Sequence, residues 1–187
     1  MTKLKDLAKI TSGATEARYV PKDEIPFIKM KDIDHAHHSL KWSEVTPSGI
    51  NLRDDKKLLN NGDIIIVCKG TNNTAVLIND IKEPSVASNH FFIVRLNSQG
   101  IDPSYIIWFL NNPAKEYLEN NATGTTIRNI TLPVIGNLEV PVPPITVQKS
   151  IVEIYDLMKK EQKLAAELAD SRKVLMNAIF AESIATL

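Results

Sequence analysis

Three groups of polar side chains in this sequence have the donors and acceptors needed to read a nucleic acid. Lys69, Thr71, Asn72, Asn73 and Thr74 share one short stretch. Thr125, Thr126, Arg128 and Asn129 share a second, and Lys29, Lys31, His37 and His38 a third. Asn and Arg can bond a base edge through two atoms at once, while Lys, Thr and backbone amides suit phosphates. The plain alternative is that these are ordinary polar turns, because Asn and Thr favour loops for local hydrogen-bonding reasons.

Signals for catalysis are missing where they would be expected. The chain has no Gly-rich phosphate loop. Asn111-Asn112-Pro113-Ala114 lacks the second Pro and the aromatic residue of an adenine methyltransferase motif. Asp63 is followed by Val67-Cys68-Lys69, without the carboxylate that a metal-dependent nuclease needs beside its Lys. His35, His37 and His38 have no Cys or further His at metal-site spacing. His90, next to Phe91 and Phe92, reads as a satisfied core or interface histidine. The expectation is no catalytic residue, no metal and no cofactor.

The candidate groups must be held by a small β-rich framework. Residues 3–10 read as a short opening segment before a turn at Thr11-Ser12-Gly13. Ile25–Met30 and Trp42–Thr46 read as strands, with a polar loop at 32–41 between them. Asn61-Gly62-Asp63 is a turn signal, and the β-branched run Ile64–Cys68 is a fully buried strand. Ala75–Ile78 and Asn89–Leu96 are further strands. Asp102 and Pro103 mark the start of a helix with Ile106, Ile107, Phe109 and Leu110 on its face. That helix extends or restarts after Pro113. Ile130–Val140 alternates apolar and polar residues, and Pro141-Val142-Pro143-Pro144 is a stiff extended linker.

After the linker, the stretch from Gln148 to about Ala185 has no Pro or Gly and is rich in good helix formers. Ile154, Glu161, Leu168 and Leu175 form one core position of a coiled-coil seam. Leu157, Leu164, Ser171 and Ala178 form the other. A parallel homodimer would set Glu161 against Glu161 and bury like charges. An antiparallel pair centred on Ala166 sets Glu161 against Ser171, Leu157 against Leu175, Leu164 against Leu168 and Ile154 against Ala178. Every apolar layer then meets an apolar layer. The alternative is a helix packed on its own domain or on a different protein, since Ile151, Tyr155, Met158 and Ile179 form a second apolar edge.

Composition limits the partners. A hydrophobic content of 43% and a charged content of 24% describe a folded chain rather than a disordered tail. Lys and Arg total 22 and Asp and Glu total 22, which excludes a strongly basic nucleic-acid sponge and an acidic DNA mimic. One Cys, no long apolar run and no signal peptide predict a cytoplasmic protein.

The order of segments resembles the specificity subunit of type I restriction-modification systems. The resemblance rests on LKDLAKITSG, IPFIKMKDI, LLNNGDIIIVCKG, NHFFIVRL, DPSYIIWFLNN, ATGTTIRNIT and LEVPVPPITVQKSIVEI, in that order. It implies an α+β fold: a β-rich target recognition domain over residues 1–144 and a conserved spacer and dimerisation helix over 145–187. It also implies a non-catalytic DNA reader that docks methyltransferase subunits, with room for an endonuclease subunit. A full subunit of that family carries two recognition domains and two helices, so a single copy of each looks like a half subunit. Two copies joined antiparallel would rebuild the full arrangement and read an interrupted palindrome. The competing expectation is a dimeric adaptor that binds methyltransferase subunits and no DNA.

Overall fold

The computed structural model describes residues 1–15, 24–49, 57–70, 72–97, 99–124 and 128–185. In chain order the first elements are β1 (Thr2–Lys3), α1 (Leu4–Leu7), β2 (Ala8–Ser12), β3 (Glu24–Ile28), β4 (Ile33–Asp34), β5 (Ser39–Leu40) and β6 (Thr46–Gly49). There follow β7 (Ile64–Val67), β8 (Ala75–Leu77), β9 (Val86–Ala87) and β10 (Phe91–Leu96). The last are α2 (Pro103–Asn111), α3 (Lys115–Asn121), α4 (Leu132–Gly136), β11 (Glu139–Val140) and α5 (Ile145–Ala185). The chain divides into two units, Met1–Gln148 and Lys149–Leu187.

The first unit is built on an antiparallel sheet of order β2-β10-β7-β8, in which Val94 stands opposite both Ile10 and Ile64. Every residue of β7 is fully buried. Ile65 and Val67 pack with Ile28, Ile33, Leu59, Val76, Phe91 and Ile93 in one cluster. Strand alternation sends Ile64 and Ile66 to the other face. A second sheet of order β6-β3-β9 pairs β3 with β9 in parallel, and β1 pairs with β11. The framework is therefore α+β, with a β-rich first unit and a long last helix.

Several local expectations are met for the predicted reason. The Asp102 carboxylate accepts from the Ser104 amide at 2.8 Å with Pro103 at the first helical position. Gly62 takes φ 92° in the turn before β7. The helix stops near Pro113 and restarts as α3. Others differ. The segment Trp42–Glu44 is a turn of 3-10 helix, because Val45 N–H bonds Trp42 C=O and the Trp42 indole donates to Asn79 C=O at 3.0 Å. The strand expected there begins only at Thr46. The polar stretch 32–41 holds the hairpin β4–β5. The alternating stretch 130–140 holds both α4, where Pro133 sits in the first helical turn and Ile135 is buried, and β11. Ser12 closes β2 rather than a turn.

Two buried polar contacts shape this unit. Asp63 is almost fully buried and accepts twice from Arg95, at 2.7 and 2.6 Å, tying β10 to the turn before β7; this contact holds the Arg95 guanidinium's pKa above its ordinary value. Asn111 is buried and completes the outer edge of β8: its amide donates to Ala75 C=O and its oxygen accepts from Ala75 N–H, both at 2.8 Å. The side chain thus acts as the missing neighbour strand, which is its role in place of the methyltransferase chemistry considered above. Asn111→Ala strands both Ala75 groups away from water. It is expected to cost about 2–6 kcal/mol, since each of the two orphaned buried groups costs about 1–3. Urea unfolding checks this, with the midpoint falling and the slope unchanged.

The stretch Pro141–Pro144 has no regular secondary structure, and Tyr105 donates to Pro141 C=O at 2.9 Å. The first turn of α5 is held by Gln148, which is fully buried. Its amide donates to Gly100 C=O at 3.0 Å and Pro143 C=O at 2.8 Å, and its oxygen accepts from Asp102 N–H at 2.9 Å.

The second unit is the remainder of α5. The whole helix has 41 residues, about 60 Å at 1.5 Å per residue. Ile154, Leu157, Leu164, Leu168 and Leu175 are each more than half exposed. Glu161, Ser171 and Ala178 are exposed too. Ser171 Oγ donates back to Glu167 C=O at 2.9 Å, one turn earlier. No helix among the described residues is long and apolar enough to cross a membrane.

Candidate nucleic-acid interface

The loop after β7 carries the first group of candidate residues, and backbone pairing brings the second group to it. Gly70 N–H donates to Arg128 C=O, and Ile130 N–H donates to Cys68 C=O, both at 2.8 Å. Lys69 therefore faces Asn129 in an isolated antiparallel bridge, and Asn129 also bridges Thr123. Gly70 adopts φ 101°, a conformation open to glycine, and so turns the chain away after Lys69.

The third group approaches from the other side. His35 Nδ1 lies 2.8 Å from Thr74 Oγ1, which joins the β4–β5 hairpin to the loop. The Met30 methyl lies 3.8 Å from the position a Gly70 Cβ would take, so the segment that carries Lys29 and Lys31 reaches the same loop. Three stretches far apart in sequence thus meet at one place. It is polar and includes Lys69, Lys29, Lys31 and Arg128.

Within it the side chains divide by burial. Asn73 and Thr74 are buried. The Asn73 amide donates to Val67 C=O at 2.9 Å, and the Thr74 hydroxyl donates to Asn72 Oδ1 at 2.9 Å. These two shape the loop. Lys31, Asn72 and Arg128 are exposed, and Lys29, Lys69 and Asn129 are half-buried. Thr71, Thr125 and Thr126 lie outside the described residues. His37 is exposed and its ring sits 2.9 Å from Asp34 Oδ2. His38 closes the hairpin turn with φ 51°. The His37 backbone N–H, then its ring, hold the Asp34 carboxylate down at about 2. That turn is stable above the ordinary Asp range and loosens only as pH falls through about 2. Among the described residues no cluster of His, Cys, Asp and Glu could hold a metal.

Residues 1–169 match the family model described as the type I restriction modification DNA specificity domain. The specificity subunit of the type I restriction enzyme MjaVIII, from Methanocaldococcus jannaschii, is 24% identical over 98% of this chain. The match takes in 46% of that subunit, so the chain spans about half the length of the curated relative. Solved structures share the fold. One is a chain solved for complex assembly and conformational transition of the type I system, with TM-score 0.74 and 16% identity over 97% of this chain and 48% of that one. The HsdS subunit of Thermoanaerobacter tengcongensis gives 0.58 and 16% over 88% and 38%. The M. genitalium S subunit gives 0.55 and 17% over 89% and 40%. Specificity subunits of this kind are non-catalytic. With its β-rich first unit, its proline linker and its long helix all inside or overlapping the matched span, this chain belongs to the type I restriction-modification DNA specificity family.

Proposed function

We propose that this chain is a sequence-reading, non-catalytic subunit for double-stranded DNA, acting in the cytoplasm as part of phage defence. In this reading residues 1–144 are the target recognition domain and 145–187 the spacer. The chain pairs with a second copy through α5 and positions adenine methyltransferase subunits, with or without an endonuclease subunit. The observation that carries the reading is the convergence of the Lys69, Arg128 and Lys29–Lys31 stretches at one face of a domain of the specificity family. Exposed donors there suit base edges and phosphates, while Asn73 and Thr74 hold the loop that presents them.

The seam supports the pairing. Its five large apolar residues stand in water in the single chain, and the antiparallel register covers each with an apolar partner while Glu161 meets the Ser171 hydroxyl. Two recognition domains then sit at opposite ends of one rod, which suits an interrupted palindrome.

Methylation by the co-expressed methyltransferase subunits tests the whole. Methylation of host DNA that persists when this chain is deleted ends the reading. The adaptor reading draws on the zero net charge and the exposed helix; it predicts no shift of a random duplex under any condition, with or without methyltransferase subunits. Two substitutions separate the roles within the face. Arg128→Ala is expected to cost about 1–3 kcal/mol and relax the preference at one base position. Lys69→Ala should weaken all duplexes alike and lower the salt slope by about one. Fluorescence anisotropy across a salt series reads both.

A further inference from the structure

His35, Thr74 and Asn72 form a chain of hydrogen bonds that ends at an exposed amide. The Thr74 hydroxyl donates to Asn72 Oδ1 at 2.9 Å, and His35 Nδ1 lies 2.8 Å from the same hydroxyl. A hydroxyl has a single proton to give. Thr74 gives it to Asn72, so toward His35 its oxygen can only accept. His35 Nδ1 therefore carries a proton, which settles the tautomer of the neutral ring.

Two elements hold this chain in place. Thr74 is 2% exposed, and its C=O accepts from Val67 N–H at 3.0 Å, which continues the pairing of β7 with β8. His35 is half-buried in the β4–β5 turn. The Asp34 carboxylate pins that turn by accepting from the Ala36 and His37 N–H groups, both at 3.0 Å. Of the three residues only Asn72 is exposed. A carboxamide ordinarily offers both a donor and an acceptor, which is how Asn takes N6 and N7 of adenine together. Here the oxygen is turned inward to Thr74. The NH2 group is left for an outside partner, because it meets no acceptor among the described residues.

We infer that Asn72 reads one base of the target as a donor only, with Thr74 and His35 as the positioning residues that fix its polarity. Its partner is a base-edge acceptor, such as guanine O6 or N7, adenine N7 or thymine O4. The exocyclic amino groups of cytosine and adenine are refused, since donor would face donor. The inference rests on the DNA-reading function proposed above and adds to it the sign of one contact and the two residues behind it. With the bonds reversed, Asn72 would donate to Thr74 and Thr74 to His35. The outward atom would then be an oxygen, and the choice of base would invert.

Reselection of the target tests it. The full chain, with its methyltransferase subunits if they are needed for binding, is offered duplexes randomised over the target, and the bound fraction is sequenced. Asn72→Asp keeps the shape and the Thr74 bond but turns an oxygen outward. Its charge weakens every duplex alike, and the ratio between bases removes that effect. At one position the preferred base pair should change, with a shift of about tenfold in the ratio, while the other positions stay as in wild type. His35→Leu frees the Thr74 oxygen to accept from the Asn72 amide instead, so the same position should lose its preference and the others keep theirs. Analogue bases at that position then name the atom. A base lacking one acceptor should weaken wild type about tenfold, and a base lacking its amino group should not. Asn72→Asp with the wild-type preference at every position overturns the inference. So does a loss of binding on removal of an amino group, or a His35→Leu protein that selects as wild type does. Wild type that selects no duplex instead brings down the function on which the inference depends.

Discussion

Replacing Leu164 and Leu168 together with Glu is expected to abolish the proposed pairing of two copies through α5. In the antiparallel register these residues face each other across the centre of the rod, so two copies bury four Leu side chains there. Each is worth about 1.5–3 kcal/mol, or roughly 6–12 for the set. The low end already weakens association by about four orders of magnitude, and four carboxylates at the seam oppose pairing further. The first unit should be untouched, because both positions are exposed in the single chain. Sedimentation equilibrium measures the association, and near-ultraviolet circular dichroism checks the fold. Direction is tested separately. Chains with both Glu161→Cys and Ser171→Cys should cross-link between copies, and Glu161→Cys alone should not. A single Glu161→Cys that cross-links to itself would mean parallel rods, and a Glu-substituted dimer of full strength would mean that the seam lies elsewhere.

How far the residue string could be followed depended on whether the deciding contact was local. Ile64–Val67 was legible because a β-branched run buried on both faces needs no pattern of polar residues. Asp102 and Pro103 were legible because an N-cap and its bond lie two residues apart. The three polar groups could be named, but not their meeting place, because it depends on a bridge between Lys69 and Asn129 across 60 positions. Burial inside the loop was hidden as well. Asn72 and Asn73 are adjacent and of one type, yet one is exposed and the other bonds Val67 C=O from inside. Trp42–Thr46 misled because Trp and Val favour strands, while the indole is drawn to the Asn79 carbonyl and the chain coils to reach it. The helix within 130–140 was hidden because the alternation there masks an element of five residues, with Pro133 in its first turn. The structural role of Asn111 had no signal at all, since it lies in the sheet edge that the side chain completes.

The second large effect follows from treating α5 as a spacer of fixed pitch. Inserting one heptad at Ala166 should abolish recognition of the natural target, and inserting three should restore recognition at a target about one helical turn longer. Seven residues add about 10 Å to the distance between the two domains, or about three base pairs. Over that length the duplex turns right-handed by about 105°, since one turn takes 34–36 Å. A left-handed coiled coil with a pitch of about 150 Å turns by about 25° the other way. With the rod along the duplex, and with each domain fixed on its rod as the proposed spacer role requires, the two domains then miss each other's groove face by about 130°. Three heptads add about 31 Å, and the same arithmetic leaves a mismatch of only about 30°. Sequencing of methylated sites reads the result directly. A one-heptad chain that methylates the natural target, or one whose preferred spacer simply grows by three base pairs, would mean that the domains swivel freely on the rod. The separation of half-sites would then be set by the DNA and the methyltransferase, and not by the length of this helix.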